Sequence, residues 1–140
     1  MKKVYTLGTD LRSQEDFVEI LIDYDIKTVV DVRSIPKSKM QMFSKVNLQD
    51  LLSLEGITYS YLGTELGGLQ RGGYEAYTLT DAFRSGIEKL EGIIDGSPSV
   101  ILCAEKLPWK CHRKWIAREL KKRGWDCVHI IDKGRVWEPH

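Results

Sequence analysis

The sequence predicts one α/β domain over residues 1–140: three layers, a mostly parallel sheet of about five strands with helices on both faces, Rossmann-like in arrangement. Three observations predict it. Short β-branched runs alternate with helical apolar periodicity from end to end. The near-unbroken run Thr28-Val29-Val30 looks like a strand buried on both faces. The 140 residues, 42% hydrophobic and 29% charged with four prolines, suit one domain able to build a continuous core.

Lys3 to Leu7 reads as the first strand, followed by Gly8 and a helix that Ser13 and Asp16 open as a capping pair. Phe17, Ile20, Leu21 and Tyr24 form its apolar face. Lys27 to Val32 is the second strand, and Pro36 ends it. Asn47 caps a second helix carrying Leu48, Leu51, Leu52 and Leu54, which Gly56 closes before a third strand, Ile57 to Leu62. Gly63 to Gly73 reads as a loop. Thr80 opens a third helix with Phe83, Ile87, Leu90, Ile93 and Ile94 at helical spacing. Ser99 to Cys103 is the fourth strand, His112 to Arg123 the fourth helix with Trp115, Ile116 and Leu120 inward, and Cys127 to Ile131 the fifth strand.

A net charge of +1 demands neither a nucleic-acid nor a membrane partner. Lys37, Lys39, Lys110, Arg113 and Lys114 could still form a local basic patch, although a solvated surface explains them as well. The amino terminus has too short an apolar run for a signal peptide and no segment approaches a membrane span, so a cytoplasmic protein is expected. Three cysteines, an odd number, point to reduced thiols.

In an open parallel sheet the ligand crevice lies beyond the carboxyl ends of the strands, where strand order reverses. That edge collects Gly8, Thr9 and Asp10 after strand one, Asp31, Arg33 and Ser34 after strand two, Gly67 and Gly68 after strand three, and Cys103 and Glu105 after strand four. If strands one and four are neighbours, Thr9 and Asp10 face Cys103 and Glu105. The segment Cys103 to Arg113 then puts Cys111, His112 and Arg113 at a helix amino terminus, whose free N–H groups bind anions and lower the pKa of a nearby thiol. Cys111 is the better thiolate candidate, whereas Cys103 also fits a plain core position. Asp31 and Arg33 leave the same face of their strand, either as an ion pair or as ligand contacts. Cys127 and His129 read as structural, and the tryptophans as packing residues, with Trp109 free to stack on a ligand.

Three functions fit. The first is an enzyme acting on a phosphate-bearing substrate, a nucleotide or nucleic acid, with Arg33, Arg71 and Arg113 holding the anion, Cys103 or Cys111 as nucleophile, His112 as general acid/base, and Glu105 or Asp31 as the orienting carboxylate. The second is a metal-dependent hydrolase in which Cys103, Glu105, Cys111 and His112 hold zinc or ferrous iron. The third is a binding or sensor module without catalysis. With no Gly-x-Gly-x-x-Gly and no Walker loop, no dinucleotide cofactor is expected.

Tyr5-Thr6-Leu7-Gly8, Asp31 to Ser38, Phe43, Gly56 to Tyr59, Leu66-Gly67-Gly68, Cys103-Ala104-Glu105, Cys111-His112-Arg113 and His129-Ile130, in that order, resemble the bacterial and archaeal domain-of-unknown-function family 488 across nearly the whole chain. The resemblance implies a small α/β protein whose characteristic residues lie on the strand edge described above. The family's first motif usually reads Thr-hydrophobic-Gly-His-Ser. Here Thr9 and Asp10 replace its last two residues, so no role of that histidine carries over.

Overall fold

The computed structural model describes residues 2–34 and 41–138, so Pro36, Lys37 and Lys39 lie outside the described residues. Its elements are β1 (Lys2–Gly8), α1 (Gln14–Asp23), β2 (Thr28–Asp31), α2 (Lys45–Leu54), β3 (Thr58–Tyr61), α3 (Gly63–Leu66), α4 (Tyr74–Tyr77), α5 (Asp81–Ile94), β4 (Ser99–Cys103), α6 (Arg113–Lys122), β5 (Trp125–Asp132) and β6 (Arg135–Trp137). Short 3-10 turns at Gln41–Phe43 and Pro108–Lys110 precede α2 and α6.

The sheet holds six strands in the order β3-β2-β4-β1-β5-β6, the first five parallel and β6 antiparallel to β5. β1 and β4 are neighbours, with Gly8 opposite Cys103. β2 and β4 are buried along their whole length. Successive residues of these strands feed opposite faces, as the two-residue period of a strand requires. Val29, Val100 and Leu102 pack under α1 and α2 with Phe17, Ile20, Leu21, Leu48 and Leu52. Val30, Ile101 and Cys103 pack under α5 and α6 with Ile87, Leu90, Ile116 and Leu120. The crossovers leaving β1 and β2 therefore cover one face, and those returning through β4 cover the other.

Local chemistry sets the boundaries. The Ser13 hydroxyl accepts from Asp16 N–H and the Thr80 hydroxyl from Phe83 N–H, so both caps act as their sequences suggest. Helix α2 starts earlier than expected: Ser44, not Asn47, is its cap residue, because Phe43 is drawn into the core beside Phe17 and carries the chain with it. Leu54 consequently faces solvent at 85% exposure instead of joining the apolar face, and Leu51 is only partly buried. Gly63–Gly73 is not all loop. Its first four residues form α3, which buries Leu66, and α4 begins directly after Gly73 and buries Tyr74. β6 adds a sixth strand with all three residues exposed, and Trp115 is only partly buried.

Candidate active site

Beyond the carboxyl ends of β2 and β4 lies a cleft lined by Arg33, Ser34, Gly68, Leu69, Ala104, Glu105, Lys110, Cys111 and His112. The chain reaches it because β4 ends at Cys103 and the turn that follows docks on the end of β1. Thr9 N–H donates to the Cys103 carbonyl at 2.8 Å and Asp10 N–H to the Ala104 carbonyl at 2.9 Å. Gly8 makes this docking feasible: a Cβ there would stand 1.8 Å from the Glu105 carbonyl oxygen. The backbone then folds back through the Pro108–Lys110 turn and delivers Cys111 immediately before α6.

Cys111, in the cleft lining, lies against a second thiol behind it, Cys103. Cys111 Sγ lies 2.8 Å from Cys103 Sγ. Cys103 is fully buried, whereas Cys111 keeps 7% exposure on the cleft side. His112 Nδ1 is 3.5 Å from Cys111 Sγ, and His112 Nε2 is 2.9 Å from the Val32 carbonyl. A carbonyl only accepts, so Nε2 carries a proton, and Nδ1 is the ring nitrogen turned to the Cys111 thiol. The hydrogen bond from Cys103, followed by that from His112 and the Arg113 backbone N–H, draws the Cys111 pKa well below the ordinary thiol value against the opposing effect of burial. Burial pushes Cys103 the other way, and its hydrogen bond to Cys111 adds to the rise. One thiol of the pair is thus readily ionised while the other keeps its proton.

Two neighbours fix the imidazole. Gly68 presses on it so closely that a Cβ would sit 2.8 Å from His112 Nδ1. The Tyr74 ring stands 5.4 Å from the imidazole, and its hydroxyl donates to the Leu66 carbonyl at 2.8 Å. Ser34 joins the two rims by accepting from Leu69 N–H. Gly67 is tight in its own right, since a Cβ would meet Ser34 Oγ at 2.0 Å.

Asp31 and Arg33 form a buried ion pair. Arg33 donates through Nε and Nη2 to the two carboxylate oxygens at 2.9 and 2.8 Å, and through Nη1 to the Phe43 carbonyl. Tyr59 donates to Asp31 at 2.6 Å. Every acceptor of Asp31 is thereby engaged, and His112 is oriented by the Val32 carbonyl rather than by a carboxylate. Glu105 does not orient it either, because its side chain is exposed and the atom that meets Cys103 is its backbone carbonyl, at 3.6 Å.

The expected convergence of three arginines on an anion is not what the structure shows. Arg33 is taken up by Asp31, and Arg71 is exposed in the turn before α4, outside the cleft lining. Arg113 is fully buried beneath the thiols, where Nη2 donates to the Lys106 carbonyl at 2.7 Å while Nε and Nη1 have no acceptor. Thr9 is buried with an unpartnered hydroxyl, and Asp10 turns the chain with φ +47°. The four alternative metal ligands do not gather: among the described residues no three His, Cys, Asp or Glu side chains are arranged to hold an ion.

Cys127 and His129 lie buried in β5 and outside the cleft lining. Burial pushes the Cys127 thiol up to about 12, and the buried His129, hydrogen-bonded to Thr6 and stacked on Trp137, is held down to about 4 by desolvation and then by Arg113. Trp109 is outside the cleft lining and packs edge-to-face on Trp137. Ser34 lies on the strand edge the sequence marks, whereas the contributions of the Val32 carbonyl and Tyr74 carry no such signal. A backbone carbonyl has no side-chain signature, and Tyr74 sits in a glycine-rich stretch without helical periodicity.

Fold and site define a three-layer α/β domain with a two-thiol site at the carboxyl edge of a parallel sheet. The family model described as domain of unknown function DUF488 matches residues 13–120, so the chain belongs to that family. No curated protein and no solved structure matches it. Among the described residues no helix is long and apolar enough to cross a membrane.

Proposed function

We propose that the protein is a cysteine enzyme in which Cys111 is the nucleophile and His112 its proton partner. The observation that carries this reading is the position of Cys111 Sγ. It opens on the cleft, faces His112 Nδ1 and receives the first backbone N–H of α6. The Cys111 proton passes to Nδ1, which leaves a thiolate beside an imidazolium at a helix amino terminus. The thiolate attacks an electrophilic atom seated between Gly68-Leu69 and the Ala104–Lys110 turn, and His112 returns the proton to the leaving group.

Lys110 and the free amides of α6 favour a substrate bearing an anionic group, a phosphate among them. Arg33 is committed to Asp31 and Arg71 lies outside the cleft, which leaves a phosphate fewer charged partners than the sequence suggested.

Limiting iodoacetamide at about pH 6, where a free thiol of pKa ~8.5 is almost entirely protonated, tests the reading. Peptide mapping is expected to find Cys111 labelled first, ahead of Cys103 and Cys127. Labelling no faster than that of a free thiol would overturn it.

A further inference from the structure

We propose that Cys103 and Cys111 act as one redox dithiol, so that the reaction of this site is thiol–disulfide exchange, poised toward oxidising a substrate dithiol. The proposal rests on the reading of Cys111 as nucleophile and names what it exchanges with.

A second thiol in contact with the nucleophile is the first ground. Cys103 lies directly behind Cys111, buried at the end of β4, with 2.8 Å between the sulfurs. Closing to a bond of ~2.05 Å needs a movement of under about 1 Å. The residues between the two are a turn rather than a helix or sheet strand for most of their length, so the approach does not break the sheet.

The second ground is Arg113. Its guanidinium is fully buried, uses one donor on the Lys106 carbonyl, and leaves Nε and Nη1 without an acceptor. Among the described residues no carboxylate forms an ion pair with it. The charged neighbour Arg12 is itself a cation, bound to the Gly8 and Ile131 carbonyls and paired with Asp132, and His129 is held neutral. Burial and the hydrogen bond to Cys111 keep Cys103 protonated, while the Arg113 charge acts on it in the opposite sense, the one that favours negative charge on the pair. A buried cation without a counter-ion is costly, and the negative charge shared by the reduced thiol pair is what offsets it here. Disulfide formation removes that charge and leaves Arg113 uncompensated. The reduced form is therefore the favoured one, which makes the disulfide a strong oxidant, and a stabilised Cys111 thiolate is a good leaving group.

The steps balance as follows. A substrate thiolate attacks Cys111 Sγ of the Cys103–Cys111 disulfide, forming a mixed disulfide and releasing Cys103 as a thiolate, which takes up the proton of the incoming thiol. The second substrate thiolate attacks its own sulfur in the mixed disulfide. The substrate leaves as a disulfide, Cys111 leaves as a thiolate, and two electrons have moved to the protein. A low-molecular-weight disulfide reoxidises the pair by the reverse exchange.

The full chain equilibrated in buffers of reduced and oxidised glutathione, quenched by alkylation and read by intact mass and peptide mapping, tests this. The wild type is expected to form the Cys103–Cys111 bond reversibly, and Cys103→Ser to accumulate glutathione on Cys111. Arg113→Met is expected to make the disulfide at least about tenfold harder to reduce at equilibrium, with Arg113→Lys, which keeps the charge, in between; tenfold corresponds to about 30 mV. A wild type that carries a stable glutathione adduct on Cys111 and never forms the internal bond would sink the dithiol while leaving the nucleophile intact. Failure of Cys111 to react at all would sink both. Wild-type equilibria unchanged in both folded Arg113 variants would remove the oxidising poise, and if Arg113→Met does not fold, Arg113→Lys and the wild-type measurement still decide.

Discussion

Replacing Asp31 by Asn separates a structural role from a catalytic one. The carboxylate is fully buried and accepts four hydrogen bonds: from Arg33 N–H at 3.1 Å, Nε at 2.9 Å and Nη2 at 2.8 Å, and from the Tyr59 hydroxyl at 2.6 Å. Arg33 itself is 3% exposed. The amide keeps the shape but loses the charge and one acceptor, so Arg33 is left as a buried cation held mainly by the Phe43 carbonyl. Breaking a buried pair from one side costs about 3–5 kcal/mol, a large part of a total stability of about 5–15 kcal/mol. The exposed pair Arg84–Asp81, at 60% and 95% exposure, provides the control, and Asp81→Asn is expected to cost less than about 1 kcal/mol. Denaturant unfolding followed by tryptophan fluorescence measures both. The double variant Asp31→Leu with Arg33→Met is expected to recover much of the loss, because it removes both charges together. An Asp31→Asn variant as stable as the wild type whose Cys111 alkylation has collapsed would refute the reasoning and restore Asp31 to the chemistry.

Gly68→Ala is expected to push the imidazole off Cys111 and slow alkylation near pH 6 about tenfold, the effect of losing one charge-assisted hydrogen bond, with stability within about 1 kcal/mol of wild type in the same unfolding assay. His129, neutral when folded with its pKa held down to about 4, binds a proton in the unfolded chain at ~6.5, so the protein loses stability as pH falls from about 6.5 to 4, by up to roughly 3 kcal/mol from this group. His129→Gln is expected to flatten that part of the stability-versus-pH curve. Leu48→Ala, at a fully buried position of α2, is expected to cost about 2–5 kcal/mol, while Leu54→Glu, at 85% exposure on the same helix, stays within about 0.5 kcal/mol.

The parallel sheet was legible wherever the local pattern was strong. Val100 to Ala104 is an unbroken apolar run between Ser99 and Glu105, and the strand occupies Ser99–Cys103. Helix caps carried their own signal at Ser13 and Thr80, but at α2 the packing of Phe43 decided the start instead, and no local rule registers that. β6 is three exposed residues held only by pairing with β5, and α3 and α4 span four residues each, too short to show periodicity. At the site, the i to i+2 spacing placed Asp31 and Arg33 on one face without saying that they would consume each other. The meeting of Cys103 with Cys111 depends on the path of the turn between them, and that path is set by long-range bonds to Thr9 and Asp10. Arg113 is the clearest illegible residue. A charged side chain in a first helical turn reads as solvated, yet this one is fully buried, with the Lys106 carbonyl accepting from it across the turn.

An ultraviolet titration of thiolate absorbance in the folded, reduced protein, run beside Cys111→Ser, tests the central claim most directly. The wild type is expected to show one thiolate ionising well below the ~8.5 of a free thiol, and Cys111→Ser to lack that step. No ionisation below about pH 8 in the wild type, or the same step surviving in Cys111→Ser, would contradict the account.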